Sequence, residues 1–149
     1  MAMRVLDSFK ALREQKLFDK AIELIPYAKF LGITFKETPS GLVFVMPFTA
    51  NKIGNVHIPA IHGGVIAGFM ENAAIMHLMW TATPIEVPKS INFTIDYNHS
   101  ARPQDTYAIC HVKKMGKRVA NVQIEAWQDD RKNPVAIARS HFKLSSNGD

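Results

Sequence analysis

The chain contains one cysteine among its 149 residues. Cys110 therefore has no internal disulfide partner, and a lone thiol is the usage of a reducing compartment. Six histidines are present, but none fall into an H-x-x-x-H or H-x-x-E-H pattern. With a single cysteine beside them, neither a metal site nor another cofactor is expected. There is no Gly-x-Ser-x-Gly elbow to hold a serine nucleophile. The net charge of +5 invites a nucleic-acid reading, yet the basic residues are scattered, and no zinc-finger, RRM or helix-turn-helix pattern accompanies them. Nucleic acid is thus not an expected partner. The N-terminal stretch MAMRVLDSFKALREQ carries charges where a secretion signal needs an apolar centre, so a cytoplasmic location is expected. Repeats, low-complexity tracts and linkers are missing too. A chain of this length with 47% apolar residues reads as one domain, 1–149, with a core of its own.

What the chain does have is an apolar run, Gly63 to Trp80, with a single formal charge in it, Glu71. The run is almost long enough to cross a bilayer, but Glu71, Asn72 and His77 in its middle argue against a membrane span. Burying an unpaired carboxylate costs several kcal/mol or else forces it to take up a proton, so a chain keeps one where it has a task or a partner. Nine residues upstream stands His62-Gly63-Gly64. Two glycines at a helix start leave backbone N–H groups open to an approaching oxygen. Donors for a developing oxyanion together with a desolvated carboxylate are the parts of an acyl-transfer hydrolase.

Around this run the pattern is mixed. Val5 to Ile25 reads as helix, continuous or broken, and Pro26 is its stop, making 1–26 a helical extension. Leu31 to Phe35 and Leu42 to Phe48 read as strands joined at Pro39-Ser40-Gly41, and Thr49 to Ile61 as a loop. After the central helix, Ile91, Phe93, Ile95 and Tyr97 alternate with polar residues as a half-buried strand. Thr106 to Met115, Lys117 to Gln128 and Val135 to Leu144 complete a four-strand meander, and 145–149 reads as a disordered tail. The class is α+β, an antiparallel sheet wrapping an apolar helix.

This layout resembles the hot-dog fold, and the residues resemble those of the PaaI-type acyl-CoA thioesterases. The similarity rests on His62-Gly63-Gly64 with the acid at Glu71, on the block Ile91 to Arg102 (INFTIDYNHSAR), on Lys114-Met115-Gly116-Lys117-Arg118, and on the closing strand AIARSHFKL. The resemblance implies that Glu71 is the catalytic carboxylate and that the Gly63 N–H polarises the thioester carbonyl. It also implies an acyl-CoA substrate and dimers that commonly pair into tetramers. Where family members carry Asn or Gln six residues before the histidine, this chain has Val56, so Asn55 or His57 is left to position water. Ile75 stands where some Glu-type members have a hydroxyl residue. His62 supports the glycine turn by hydrogen bonding or acts as a base. Gly64 and Asn72 are further candidates for substrate contact, with packing the alternative for Asn72. Arg102, Lys117 and Arg118, with Lys113 and Lys114, form either a rim for the coenzyme A phosphates or a solvated turn.

Helix geometry adds a constraint of its own. Gly63 and Glu71 are eight residues apart, about 12 Å along one helix, too far for one carbonyl to meet both. Two antiparallel helices about a two-fold axis would bring Gly63 of one chain opposite Glu71 of the other, which implies a homodimer. Two other readings remain open. One is a hot-dog dehydratase or hydratase using His57 and Glu71, and the other a non-catalytic acyl-CoA-binding module. The aliphatic, Met-rich helix favours a medium or long fatty acyl chain over an aromatic one.

Overall fold

Three short helices, rather than one, precede the sheet. In the computed structural model, which describes residues 2–144, they are α1 (Ala2–Glu14), α2 (Phe18–Ile22) and α3 (Pro26–Leu31). The first break falls at Lys16, whose φ of 54° takes the chain out of the helix. Pro26 starts α3 instead of stopping a helix. Its missing N–H is no loss in a first turn, and its fixed φ suits one. Leu31, expected in a strand, thus ends a helix, with Gly32 closing it in the left-handed conformation. The 145–149 tail lies outside the described residues.

The extension works as a cap on the central helix, α4 (Gly63–Thr81). Phe9, Phe18 and Phe35 surround Trp80 with ring centroids 5.0–6.0 Å away. Arg13 Nη1 donates to the carbonyls of Met79 at 3.2 Å and Ala82 at 2.7 Å. A cation on the last carbonyls satisfies acceptors the helix cannot and complements its dipole.

Six strands form one antiparallel sheet in the order β1-β2-β6-β7-β8-β5. They are β1 (Thr34–Thr38), β2 (Gly41–Met46), β5 (Lys89–Tyr97), β6 (Thr106–Met115), β7 (Val119–Trp127) and β8 (Ala136–Lys143). A second, two-stranded sheet pairs β3 (Ile53–Asn55) with β4 (Ala60–Ile61) inside the expected loop. The expected four-strand meander is corrected to three strands. β2 takes the place beside β6, and β5 pairs with β8 at the far edge. The inner sheet face, including Ala108, Val122, Ile124, Ala138 and Phe142, packs on Phe69, Met70, Ala73, Met76 and the rest of the α4 core. This is the hot-dog arrangement. Among the described residues β5 has an unpaired edge, and on it Ile91 and Tyr97 remain 55% and 52% exposed. A nine-residue open edge with apolar side chains invites pairing with another strand.

His77, near the end of α4, is half-buried, and among the described residues its Nδ1 has no hydrogen-bond partner. Burial first, and the nearby His111 second, lower its pKa from 6.5 to about 4. The folded state therefore holds it neutral, whereas the unfolded chain protonates it below 6.5. The sign follows: stability is unaffected above that pH, falls as the pH drops through the window from 6.5 to 4, and has lost its full share, on the order of 3 kcal/mol, below it. Melting temperature followed from pH 7 to 4 should fall in wild type and fall less in His77→Leu.

Candidate active site

β4 delivers the chain to α4 through a tightly held turn. Ile61 N–H donates to the Ala101 carbonyl at 2.8 Å, and His62 N–H to the Lys52 carbonyl at 2.9 Å. Lys52 is itself buried, and its Nζ donates to the carbonyls of Leu31 at 2.7 Å and Pro47 at 2.6 Å. Desolvation lowers its pKa, with Asp105 opposing the shift. One buried cation thus joins α3, the end of β2 and the start of α4. Gly54 of β3 lies so close that a Cβ there would stand 2.6 Å from His62 Cα, and only glycine lets the small sheet pack against the turn.

His62 is the N-cap of α4, and its Nδ1 accepts the Gly64 N–H at 2.9 Å. That bond places the imidazole proton on Nε2. Val65 and Ile66 donate to the His62 carbonyl at 2.9 and 3.2 Å. The expectation of two open N–H groups is therefore corrected to one. Gly64 is capped, and among the described residues the Gly63 N–H has no acceptor. Gly63 lines a cavity of about 360 Å³ with Ile66, Tyr97 and Ala101. Tyr97 escaped the sequence reading of the site. Its hydroxyl donates to the Gly63 carbonyl at 2.8 Å.

Glu71 lies two turns further along α4. The helix buries Ile66, Phe69, Met70, Ala73 and Ala74 against the sheet. Gly64, Ala67, Gly68, Glu71 and Ile75, at helical spacing, form a face left wholly or partly open. Among the described residues the Glu71 side chain has no hydrogen-bond or ion-pair partner, so no described residue makes it a structural ion pair. Asn72 is buried and donates to the Gly68 carbonyl at 2.7 Å, which is the packing alternative. Tyr27 of α3 covers Gly68 closely, within 3.1 Å of where a Cβ would stand.

The other candidates are spread out. Asn55 is exposed, and its Oδ1 accepts the His57 N–H at 3.0 Å; His57 is exposed as well. Arg102 pairs with Asp129 just before β6, at the Gly63 end of the molecule. Lys117 and Arg118 sit in the β6–β7 turn, about 30 Å away along the ten-residue β6. Lys117 lines a cavity there with Leu78 and Thr81, beside the far end of α4. Within one chain the basic residues are two groups rather than one rim. Cys110 is buried, and burial pushes its thiol well above the ordinary range, so it is no nucleophile. Among the described residues no cluster of three or more His, Cys, Asp or Glu is placed to hold a metal ion, and no helix is long and apolar enough to cross a membrane.

A hot-dog fold with one open N–H at the start of its apolar helix and one unpaired carboxylate further along it has the parts needed to act on an acyl carbonyl. The comparisons narrow it. A family model described as the thioesterase superfamily matches residues 59–135, and the chain belongs to that superfamily. A crystal structure of a protein from Chromobacterium violaceum is 44% identical with a TM-score of 0.78, covering 96% of this chain and 99% of that one. A phenylacetic acid degradation-related protein from Ralstonia eutropha shares the fold at 18% identity and a TM-score of 0.70, covering 80% and 89% of the two chains. A thioesterase enzyme from Staphylococcus aureus does so at 17% identity and a TM-score of 0.67, covering 79% and 97%. It has been solved with alanine replacing a glutamine and, separately, a glutamate. No match was found among curated proteins.

Proposed function

We propose that the protein hydrolyses acyl-CoA thioesters in the manner of the PaaI-type enzymes, through a site shared by two chains. The observation that carries this reading is the pairing on one apolar helix of a single open N–H, Gly63, with a single unpaired carboxylate, Glu71. In S. aureus the two substituted residues stand fifteen positions apart, the glutamate after the glutamine. Glu71 and Val56 have the same separation here, which supports Glu71 as the acid and marks Val56 as a departure.

The thioester oxygen accepts a hydrogen bond from Gly63 N–H, where the positive end of the α4 dipole assists it. Glu71 takes a proton from water, the hydroxide adds to the carbonyl carbon, and the C–S bond breaks as the tetrahedral intermediate collapses. The coenzyme A thiolate then takes up the proton. In the alternative route Glu71 attacks the carbonyl itself and expels the coenzyme A thiolate. Water then hydrolyses the resulting anhydride to free acid and regenerated Glu71, its released proton going to the thiolate. His62 holds the glycine turn in either case.

The open edge of β5 and the open face of α4 both suit a second copy related by a two-fold axis. With Gly63 opposite the partner's Glu71, the partner's Lys117 and the partner's Arg118 fall roughly 15 Å beyond Gly63 along the helix direction, at the end where Arg102 stands. An extended pantetheine arm can span that distance, so the two basic groups meet again around the coenzyme A phosphates. Raising ionic strength should therefore raise KM with kcat nearly constant, because exposed charges are screened and the buried carbonyl chemistry is not. Lys117→Ala or Arg118→Ala should blunt the effect, and a pantetheine thioester without the nucleotide should not show it. A KM that stayed flat across the salt series would return these residues to a solvated turn.

The direct test is release of free thiol from a panel of fatty and aromatic acyl-CoAs, with Glu71→Gln as the control. Met70 and Met76 are fully buried in the core, so the panel decides between fatty and aromatic acyl groups. Failure to turn over any member of the panel while binding it tightly would make the protein a binding module.

A further inference from the structure

Tyr97 ends β5, and its side chain turns from the sheet onto the first residue of α4. Its hydroxyl donates to the Gly63 carbonyl at 2.8 Å, and a Cβ added to Gly63 would meet the ring and the hydroxyl at 3.2 Å. One side chain thus crowds any substituent at position 63 and also grips that residue's carbonyl. The combination matters because glycine is the least restrained residue of the chain. An N–H stabilises a developing oxyanion only if it is aimed before the charge forms, and a donor that swings loses that advantage. Gly63 needs restraint from its surroundings. On its N-terminal side the His62 carbonyl is fixed by Val65 and Ile66 N–H at 2.9 and 3.2 Å. On its C-terminal side the carbonyl, already within the hydrogen-bonded helix, also accepts the bond from Tyr97.

We infer that Tyr97 is a positioning residue for hydrolysis, holding Gly63 so that its N–H points at the thioester oxygen. The inference rests on the reading of Gly63 as the oxyanion donor. Tyr97 exchanges no proton with substrate; its hydroxyl hydrogen is directed at a main-chain carbonyl.

Tyr97→Phe keeps the ring and removes only the donor. It should lower kcat about tenfold, less than deleting an oxyanion donor outright, and leave KM within about twofold. The pH dependence of kcat, melting temperature and oligomer size should be unchanged. A ketone analogue of the substrate, with CH₂ in place of sulfur, gives a second readout. Its carbonyl stretch should shift to lower frequency when bound to wild type and shift less when bound to Tyr97→Phe. 3-Fluorotyrosine at position 97, which retains ring and donor, should restore both kcat and the shift.

A Tyr97→Phe enzyme with wild-type kcat and an undiminished carbonyl shift overturns the inference and leaves thioester hydrolysis standing. So does a fall in kcat that tracks a loss of melting temperature or of dimer, with the shift unaltered, because that marks a merely structural contact. A wild-type protein that neither hydrolyses acyl-CoA nor shifts the ketone stretch overturns the functional reading itself.

Discussion

Glu71→Gln is expected to lower kcat by roughly two to four orders of magnitude, the worth of a positioned base, without lowering the melting temperature. The second half of that expectation comes from the surroundings of the side chain. Glu71 is half-buried on the open face of α4, with no hydrogen bond or ion pair among the described residues. An amide of the same shape breaks no contact there, and it relieves whatever desolvation the charge suffers. Activity and stability should therefore separate. Steady-state thiol release beside a thermal melt is sufficient to see it. Near-normal turnover in the variant would make Glu71 a bystander, and unfolding would reveal an ion pair with another chain.

Mixing two inactive variants should restore activity. Glu71→Gln lacks the base, and Gly63→Val drives a side chain into Tyr97, whose ring already stands 3.2 Å from where a Cβ would be. If donor and base come from different chains, a mixed dimer holds one intact site and one doubly damaged site. Random exchange of equal amounts makes about half the dimers mixed, so about a quarter of wild-type activity should return. The measurement is turnover before and after verified subunit exchange. No recovery would place both residues in one chain and contradict the axial separation of about 12 Å.

Much of the sheet and the whole of α4 were legible because their signals are local. A run of apolar residues from Gly63 and the strict alternation of Ile91 to Tyr97 leave little choice of conformation. The N-terminal region was harder for physical reasons. The break in it uses Lys16 at φ 54°, a conformation no lysine announces, and Pro26 can stop one helix or start another. Strand order was illegible, since nothing in β5 names β8 as its neighbour. In the candidate site, Gly63 and Glu71 stand out as anomalies: paired glycines and a charge in an apolar run. Tyr97, Arg13 and Lys52 do not, because each acts on main-chain carbonyls more than 30 positions away or, for Lys52, on the end of α3 and on Pro47 at once. A side chain that binds backbone leaves no matching residue type elsewhere to be found.

The spacing of the two groups on α4 also bears on how this chain can drift. Adding or deleting one residue between Gly63 and Glu71 turns the carboxylate by about 100° and slides it about 1.5 Å, from the open face into the sheet. Substitutions along that segment alter a lining; a change of length alters the phase of the whole site. In the proposed shared site the eight-residue interval works as a ruler cut to the span between two antiparallel helices. Among relatives its length should hold where its letters do not, while the loops around it lengthen and shorten freely.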